Sequence, residues 1–179
     1  MSEFQEEIPL KAISKTIVTR TELNQFISFY YDDPAEIYYS YIKADLVEGL
    51  LDELQTNMQQ FVSNDIVKIN GEHIPLLIYE TRIEFHKKKH SEPVVIFLIK
   101  NDSPFQLYNG ENVIRLEADP ELLDYPISST WRFPGKVLSI ESSLKYKLSG
   151  FNVFFSANTT EQIGGTETFI FTFAKKILP

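Results

Sequence analysis

The 179 residues carry a net charge of −8 and a pI near 4.9, with 43% apolar residues, fourteen Phe, nine Tyr, one Trp and no cysteine. That length suits one domain over residues 1–179, able to bury roughly 70% of its unfolded surface without covalent staples. The missing cysteines exclude disulfides, thiolate nucleophiles and Cys-ligated zinc, and the acidic balance disfavours general binding to nucleic acid or anionic membranes.

The first residues, Met1-Ser2-Glu3-Phe4-Gln5-Glu6-Glu7, are acidic and lack a signal-peptide core. No apolar run approaches the ~18–20 residues of a membrane span. The expectation is a soluble cytoplasmic protein with no membrane role. Residues 1–20 stay open between an edge strand, a docking arm and a helix, because Ile8, Leu10 and Ala12 alternate while Ile13 and Ile17 stand four apart.

From Thr21, residues Leu23, Phe26, Ile27 and Tyr30 follow helical spacing. Asp33, Pro34 and Glu36 then offer a cap, a first-turn proline and an acid for a second start. Val47, Leu50, Leu51, Leu54, Met58, Phe61 and Val62 form an amphipathic stripe. Residues 34–62 read as one long helix, or two with a bend near 43–45.

Beyond Asn64 the period changes from 3.6 to 2. Ile66–Ile69 leads into Asn70-Gly71, the preferred pair for a two-residue hairpin turn. The next strand alternates Leu77, Tyr79, Ile83 and Phe85 with Glu80, Arg82, Glu84 and His86. A basic tip, His86-Lys87-Lys88-Lys89-His90, joins it to the apolar run Pro93–Ile99, read as the most buried strand, covered on both faces. A second hairpin is expected around Asn109-Gly110, a helical turn at Asp119-Pro120-Glu121, and a loop over 125–130. Short strands follow at 137–141, 144–148 and 151–155. The last strand, Thr166–Ala174, sets Phe169, Phe171 and Phe173 on one face.

This order predicts an α+β fold: N-terminal helices over 21–62, packed on a curled antiparallel sheet over 65–176, a sandwich or half-barrel of about eight strands. No parallel βαβ alternation is visible to support a dinucleotide site.

Four groups of residues invite a functional reading. Glu80, Arg82 and Glu84, with Trp131 and Arg132, would make a ligand pocket if the polar face of strand 76–87 lined a cavity; facing water, that face is ordinary alternation with cross-strand charge pairs. Tyr30, Tyr31, Tyr38, Tyr39 and Tyr41 crowd one junction, as a partner interface or as packing of helix on sheet. The tip 86–90 could touch phosphate or an acidic partner, or be a solvated loop whose lysines discourage edge pairing. Its two histidines lack a third metal ligand nearby. Asp119, Glu121 and Asp124 lack the spacing of a calcium loop.

No Gly-x-Ser-x-Gly, Walker or His-Glu-x-x-His motif is present. No catalytic residue, metal ligand or cofactor is assigned. The sequence points to a non-enzymatic binding or assembly module with a protein partner or self-association, possible as a homodimer. The alternatives are a small-molecule or hydrolytic site inside the curled sheet, and a weak nucleic-acid contact through the basic tip.

Overall fold

Lys11–Val18 alternates small or apolar residues (Ala12, Ser14, Thr16, Val18) with exposed or half-exposed ones (Lys11, Ile13, Lys15, Ile17), the rhythm of a strand with one buried face. In the computed structural model, which describes residues 8–174, this segment is strand β1. The segment 1–7 and the tail 175–179, with their acidic and basic charges, lie outside the described residues. β1 pairs antiparallel with β2 (Leu23–Tyr30) and parallel with β8 (Ile127–Arg132). It is the middle strand of a seven-stranded sheet ordered β10-β11-β8-β1-β2-β6-β5, where β5 is Leu76–Phe85, β6 Pro93–Asn101, β10 Tyr146–Ser149 and β11 Asn152–Ala157.

The helix expected from Thr21 is therefore a strand. Leu23, Gln25, Ile27 and Phe29 face inward, while Phe26 and Tyr30 lie on the other face. Because that outer face is also apolar in places, residues 23–30 satisfy both periods, and the Ile, Phe and Tyr content favours a strand. Two strands thus precede the helices, which overturns the helices-first order.

The helices are α1 (Ile37–Lys43) and α2 (Val47–Asn64), separated at residues 44–46, where Asp45 has a positive φ of 59°. The expected bend near 43–45 is a full break. α1 starts three residues later than Pro34, with Glu36 in a left-handed conformation at its cap. Buried Asp33 still takes an orphan donor of the first turn: its Oδ2 accepts from the Tyr38 backbone N–H at 3.1 Å. α2 lays Leu50, Leu54, Met58 and Val62 against Ile78, Val95, Phe97 and Ile99, so it covers one part of the seven-stranded sheet's inner face.

Asn70-Gly71 does close a hairpin, between β3 (Ile66–Ile69) and β4 (Glu72–His73), with φ of 53° and 87°. Positive φ at both central residues is what a type I′ turn needs. β5 (Leu76–Phe85) and β6 (Pro93–Asn101) form the expected antiparallel hairpin, but at the edge of the sheet. Nor is β6 sealed on both sides. Val95, Phe97 and Ile99 are buried inward, whereas Ile96 and Leu98 are half-buried on the outer face beside exposed Phe26.

The second sheet has five strands ordered β4-β3-β7-β12-β9, with β7 Gly110–Leu122, β9 Val137–Glu141 and β12 Gln162–Phe173. β10 (Tyr146–Ser149) and β11 (Asn152–Ala157) complete the first. Neither sheet closes into a barrel: β5 and β10 end one, β4 and β9 the other.

Three local expectations change. Residues 105–108 are not a strand; buried Asn112 clamps the loop instead, accepting from the Tyr108 N–H at 2.7 Å and donating to the Tyr108 carbonyl at 2.9 Å. Asp119–Leu122 continues β7 rather than forming a helical turn; proline is tolerated there because β3 pairs with β7 only as far as Glu117, and β12 makes an irregularity opposite. Residues 127–130 belong to β8, not to a loop.

The two sheets share one core. Trp131, Val153 and Phe155 of the first meet Ile114, Phe169 and Phe171 of the second. Among the described residues, no helix is long and apolar enough to cross a membrane.

Candidate functional site

The inner faces of both sheets change from large to small side chains at the same end. On β7 the inward positions run Ile114, Leu116, Ala118; on β12, opposite them, they run Phe169, Glu167, Gly165. On the facing sheet the inward residues at this end include the small Ala12 and Ser14 of β1 and Ser129 of β8, beside Phe29 and Ile127, with Ser14 and Ser129 in register. Small side chains on both walls cannot meet across the roughly 10 Å that separates packed sheets. The result is a cavity of about 590 Å³, closed on one side by Leu54, Met58 and Phe61 of α2. That volume falls within the ~300–1,000 Å³ of small-molecule sites. Phe61 is itself 56% exposed, so the cavity reaches solvent beside the α2–β3 junction.

Its walls are mainly apolar, with Ile27, Phe29, Phe97, Trp131, Phe155 and Ile163 among them. One polar strip crosses the floor. Gln25 donates through Nε2 to Ser14 Oγ at 3.4 Å, and Ser129 Oγ donates to the same Ser14 oxygen at 3.4 Å. Thr16 follows two residues along β1, fully buried, its Oγ1 without a hydrogen-bond partner among the described residues.

Carboxylates supply the remaining polarity. Asp65 ends α2 in extended backbone, its N–H donating to the Val62 carbonyl at 3.2 Å, which sets the side chain at the cavity opening. Burial, then repulsion from Asp119 and Glu121, pushes its pKa up to about 6. Glu167 stands on the inner face of β12, and burial raises its pKa too, opposed by a hydrogen bond from Ser142 Oγ at 2.9 Å. Tyr125, which packs edge-on to Phe29 at 6.2 Å, has its phenol pKa raised by burial and by Glu121 and Asp124. Glu117 differs, being ion-paired with Lys68 at 3.3 Å and Arg115 at 2.9 Å.

Of the residues singled out in the sequence, Trp131 lines this cavity and is buried. Glu80, Arg82 and Glu84 do come together, with Arg82 bonded to Glu84 at 3.3 Å and near Glu80 at 3.9 Å. They stand on the outer face of β5, each exposed, and share only a shallow 30 Å³ depression with Phe26, Ile96 and Leu98 at the Glu80–Arg82 end. Arg132 is exposed on the face of β8 opposite to Trp131. The structure thus separates Trp131 from the charged ladder.

The tyrosine junction is largely packed within the chain. Tyr38 is buried against Tyr31, Tyr39 stacks on His90 at 3.5 Å and meets Phe85 edge-on, and Tyr30 packs edge-on to His86 and lies under the Lys11 ammonium. Tyr41 is half-buried on α1. In the basic tip, Lys89 pairs with Glu92 at 2.7 Å, and Lys87 and Lys88 both hold positive φ.

Asp65, Glu167 and the Ser14–Gln25–Ser129 strip carry no motif signature in the sequence, and Glu121 stands out there only in a spacing that does not fit a calcium loop. One signal was available: the inward alternation of β12 breaks from phenylalanines to Glu167 and then Gly164-Gly165, an interruption of the core pattern. No group of three metal-ligating side chains occurs among the described residues.

No protein-family model matches the chain, and neither does any curated protein. Among solved structures it is similar to the folded domain of the Mycobacterium tuberculosis LppM protein, with a TM-score of 0.47 and 8% identity over 98% of this chain and 96% of that one. It is also similar to part of native yeast LTA4 hydrolase, with a TM-score of 0.32 and 9% identity over 100% of this chain but 31% of that one. At these values neither likeness assigns a fold family or an activity.

Proposed function

We propose that this chain is a non-enzymatic binding protein for a small, largely apolar molecule held between its two sheets. The observation that carries this reading is the 590 Å³ cavity, formed where small residues face small residues and lined by aromatic and aliphatic side chains. Binding is favoured over catalysis because Ser14 and Ser129 are partnered by each other and Gln25, and among the described residues no base is hydrogen-bonded to either hydroxyl. The tyrosine junction supports a partner interface less well, since most of its rings are used in contacts inside the chain.

The single tryptophan offers a direct test. Trp131 lines the cavity at 6% exposure, so an apolar fluorophore bound there lies close enough to receive its excitation. Titration with N-phenyl-1-naphthylamine is expected to quench Trp131 emission saturably while the probe brightens. Ala118→Phe, which places a ring into the cavity, is expected to abolish the effect with an unchanged circular dichroism spectrum. Absence of saturable transfer, or full transfer in a folded Ala118→Phe, would overturn the reading.

A further inference from the structure

The charged residues lining the cavity are all of one sign: Asp65, Glu117, Glu121 and Glu167, with no lysine, arginine or histidine among them. Glu117 is neutralised by Lys68 and Arg115. The other three have no ion-pair partner among the described residues, although four ion pairs form there away from the cavity. Asp65 and Glu121 stand on two different elements, the α2–β3 junction and the end of β7, yet lie close enough to repel each other. Asp119 adds a third negative charge on the same side. Asp65 also sits at the C-terminus of α2, the negative end of the helix dipole. From α2, the side chains lining this region, Asn57, Met58 and Phe61, bring no compensating charge.

We infer that the molecule held between the sheets joins an apolar body to a cationic amine, and that the cavity turns away an acid of the same shape. This rests on the apolar-ligand reading above and adds the headgroup. An ammonium at the opening would sit between Asp65 and Glu121 and relieve their repulsion. A carboxylate there would add a further negative charge beside half-buried Asp65 and exposed Asp119 and Glu121, where the repulsion is strongest on the Asp65 side. The upward shift of the Asp65 pKa is what such an uncompensated group shows before a cation arrives. A neutral alcohol is subject to neither effect and measures the apolar part alone.

The experiment compares decylamine, decanoic acid and 1-decanol as displacers of N-phenyl-1-naphthylamine at about pH 7.5, where the amine and acid are fully charged. Decylamine is expected to displace the probe at a concentration at least about tenfold below decanoic acid, with decanol between them. In Asp65→Asn/Glu121→Gln the two charged displacers should come within about twofold of each other and decanol should be unchanged. The overall acidity of the chain would favour any amine, so Glu80→Gln/Glu84→Gln serves as the control. It removes the same charge from the outer face of β5 and should leave the amine–acid gap intact.

Equal or better displacement by decanoic acid overturns the inference, and so does a gap that closes equally in the outer-face variant. In both cases displacement by decanol leaves the apolar cavity standing. Failure of all three displacers overturns the cavity reading and the headgroup inference together.

Discussion

Two halves of the space between the sheets are built from the same strands and end differently. In the filled half, Trp131 stacks on Phe169 at 4.9 Å, Phe133 packs on Phe171 at 4.9 Å, and Phe155 meets Phe169 edge-on at 5.9 Å. In the hollow half, Ala118 and Gly165 face a wall of Ala12, Ser14 and Ser129. Only four residues, about 13 Å of strand, separate Phe169 from Gly165. The backbone of β12 runs through both halves, so side-chain volume alone makes one a core and the other a cavity. Aromatic packing therefore holds the sheets together at one end, while the other end is left hollow.

The largest effect should come from emptying the filled half. Phe169→Ala removes a fully buried ring held by several aromatic neighbours and is expected to cost about 3–5 kcal/mol in urea unfolding. A loss below about 1 kcal/mol would mean that the halves do not differ as described.

Next in size is Gly164→Ala, at the edge of the hollow half. Gly164 has a φ of +82°, and an added Cβ would collide with the backbone carbonyl of Asp119. A loss of about 2 kcal/mol is expected by the same measurement.

A smaller, pH-dependent effect belongs to Asp65. Its folded pKa of about 6 exceeds the ordinary 3.8, so the folded state binds more protons between those values. Its contribution is therefore fully favourable below about 3.8 and is lost as pH rises through about 6. Asp65→Asn should accordingly be more stable than the parent at neutral pH, by about 1 kcal/mol once solvent screening of this partly exposed group is allowed for. The difference should vanish near pH 4, and a variant less stable than the parent at neutral pH would show that the carboxylate is satisfied.

The smallest effect lies outside both halves. Arg82→Ala removes two exposed ion pairs on the outer face of β5 and should cost less than about 0.5 kcal/mol, with less at high salt. It should leave probe binding unchanged, and a loss of binding would bring that outer ladder back as part of the site.

Several elements could be read directly from local pattern. Asn70-Gly71 demanded a tight hairpin, α2 showed a regular apolar stripe, the β5–β6 hairpin alternated with a polar face, and Phe169 and Phe171 declared a core strand. Others were ambiguous for definite reasons. Residues 23–30 place Phe26 and Tyr30 on the outer face, so apolar residues fall at helical spacing as well. The run 93–99 looked central because Ile96 and Leu98 are apolar, yet they lie on a half-exposed face. At Asp119-Pro120-Glu121 the residues of a helix start occur inside a strand.

The site was less legible than the fold. Trp131 is distinctive in the sequence, but its neighbours in the cavity come from segments as far apart as Pro9 and Glu167. Glu80, Arg82 and Glu84 looked like a site because they sit two apart on one strand face, and alternation does not say whether that face meets water.

Local chemistry in the chain sets the turn at Asn70-Gly71, the apolar stripe of α2 and the aromatic face of β12, since each depends on residues a few positions apart. Folding in three dimensions settles the rest. It pairs Ser14 with Ser129 across 115 residues, makes β1 the middle strand and brings Asp65 beside Asp119 and Glu121. The reason is geometric: a strand's period says which residues share a face, whereas what stands opposite that face depends on strand order, and a cavity belongs to two faces at once.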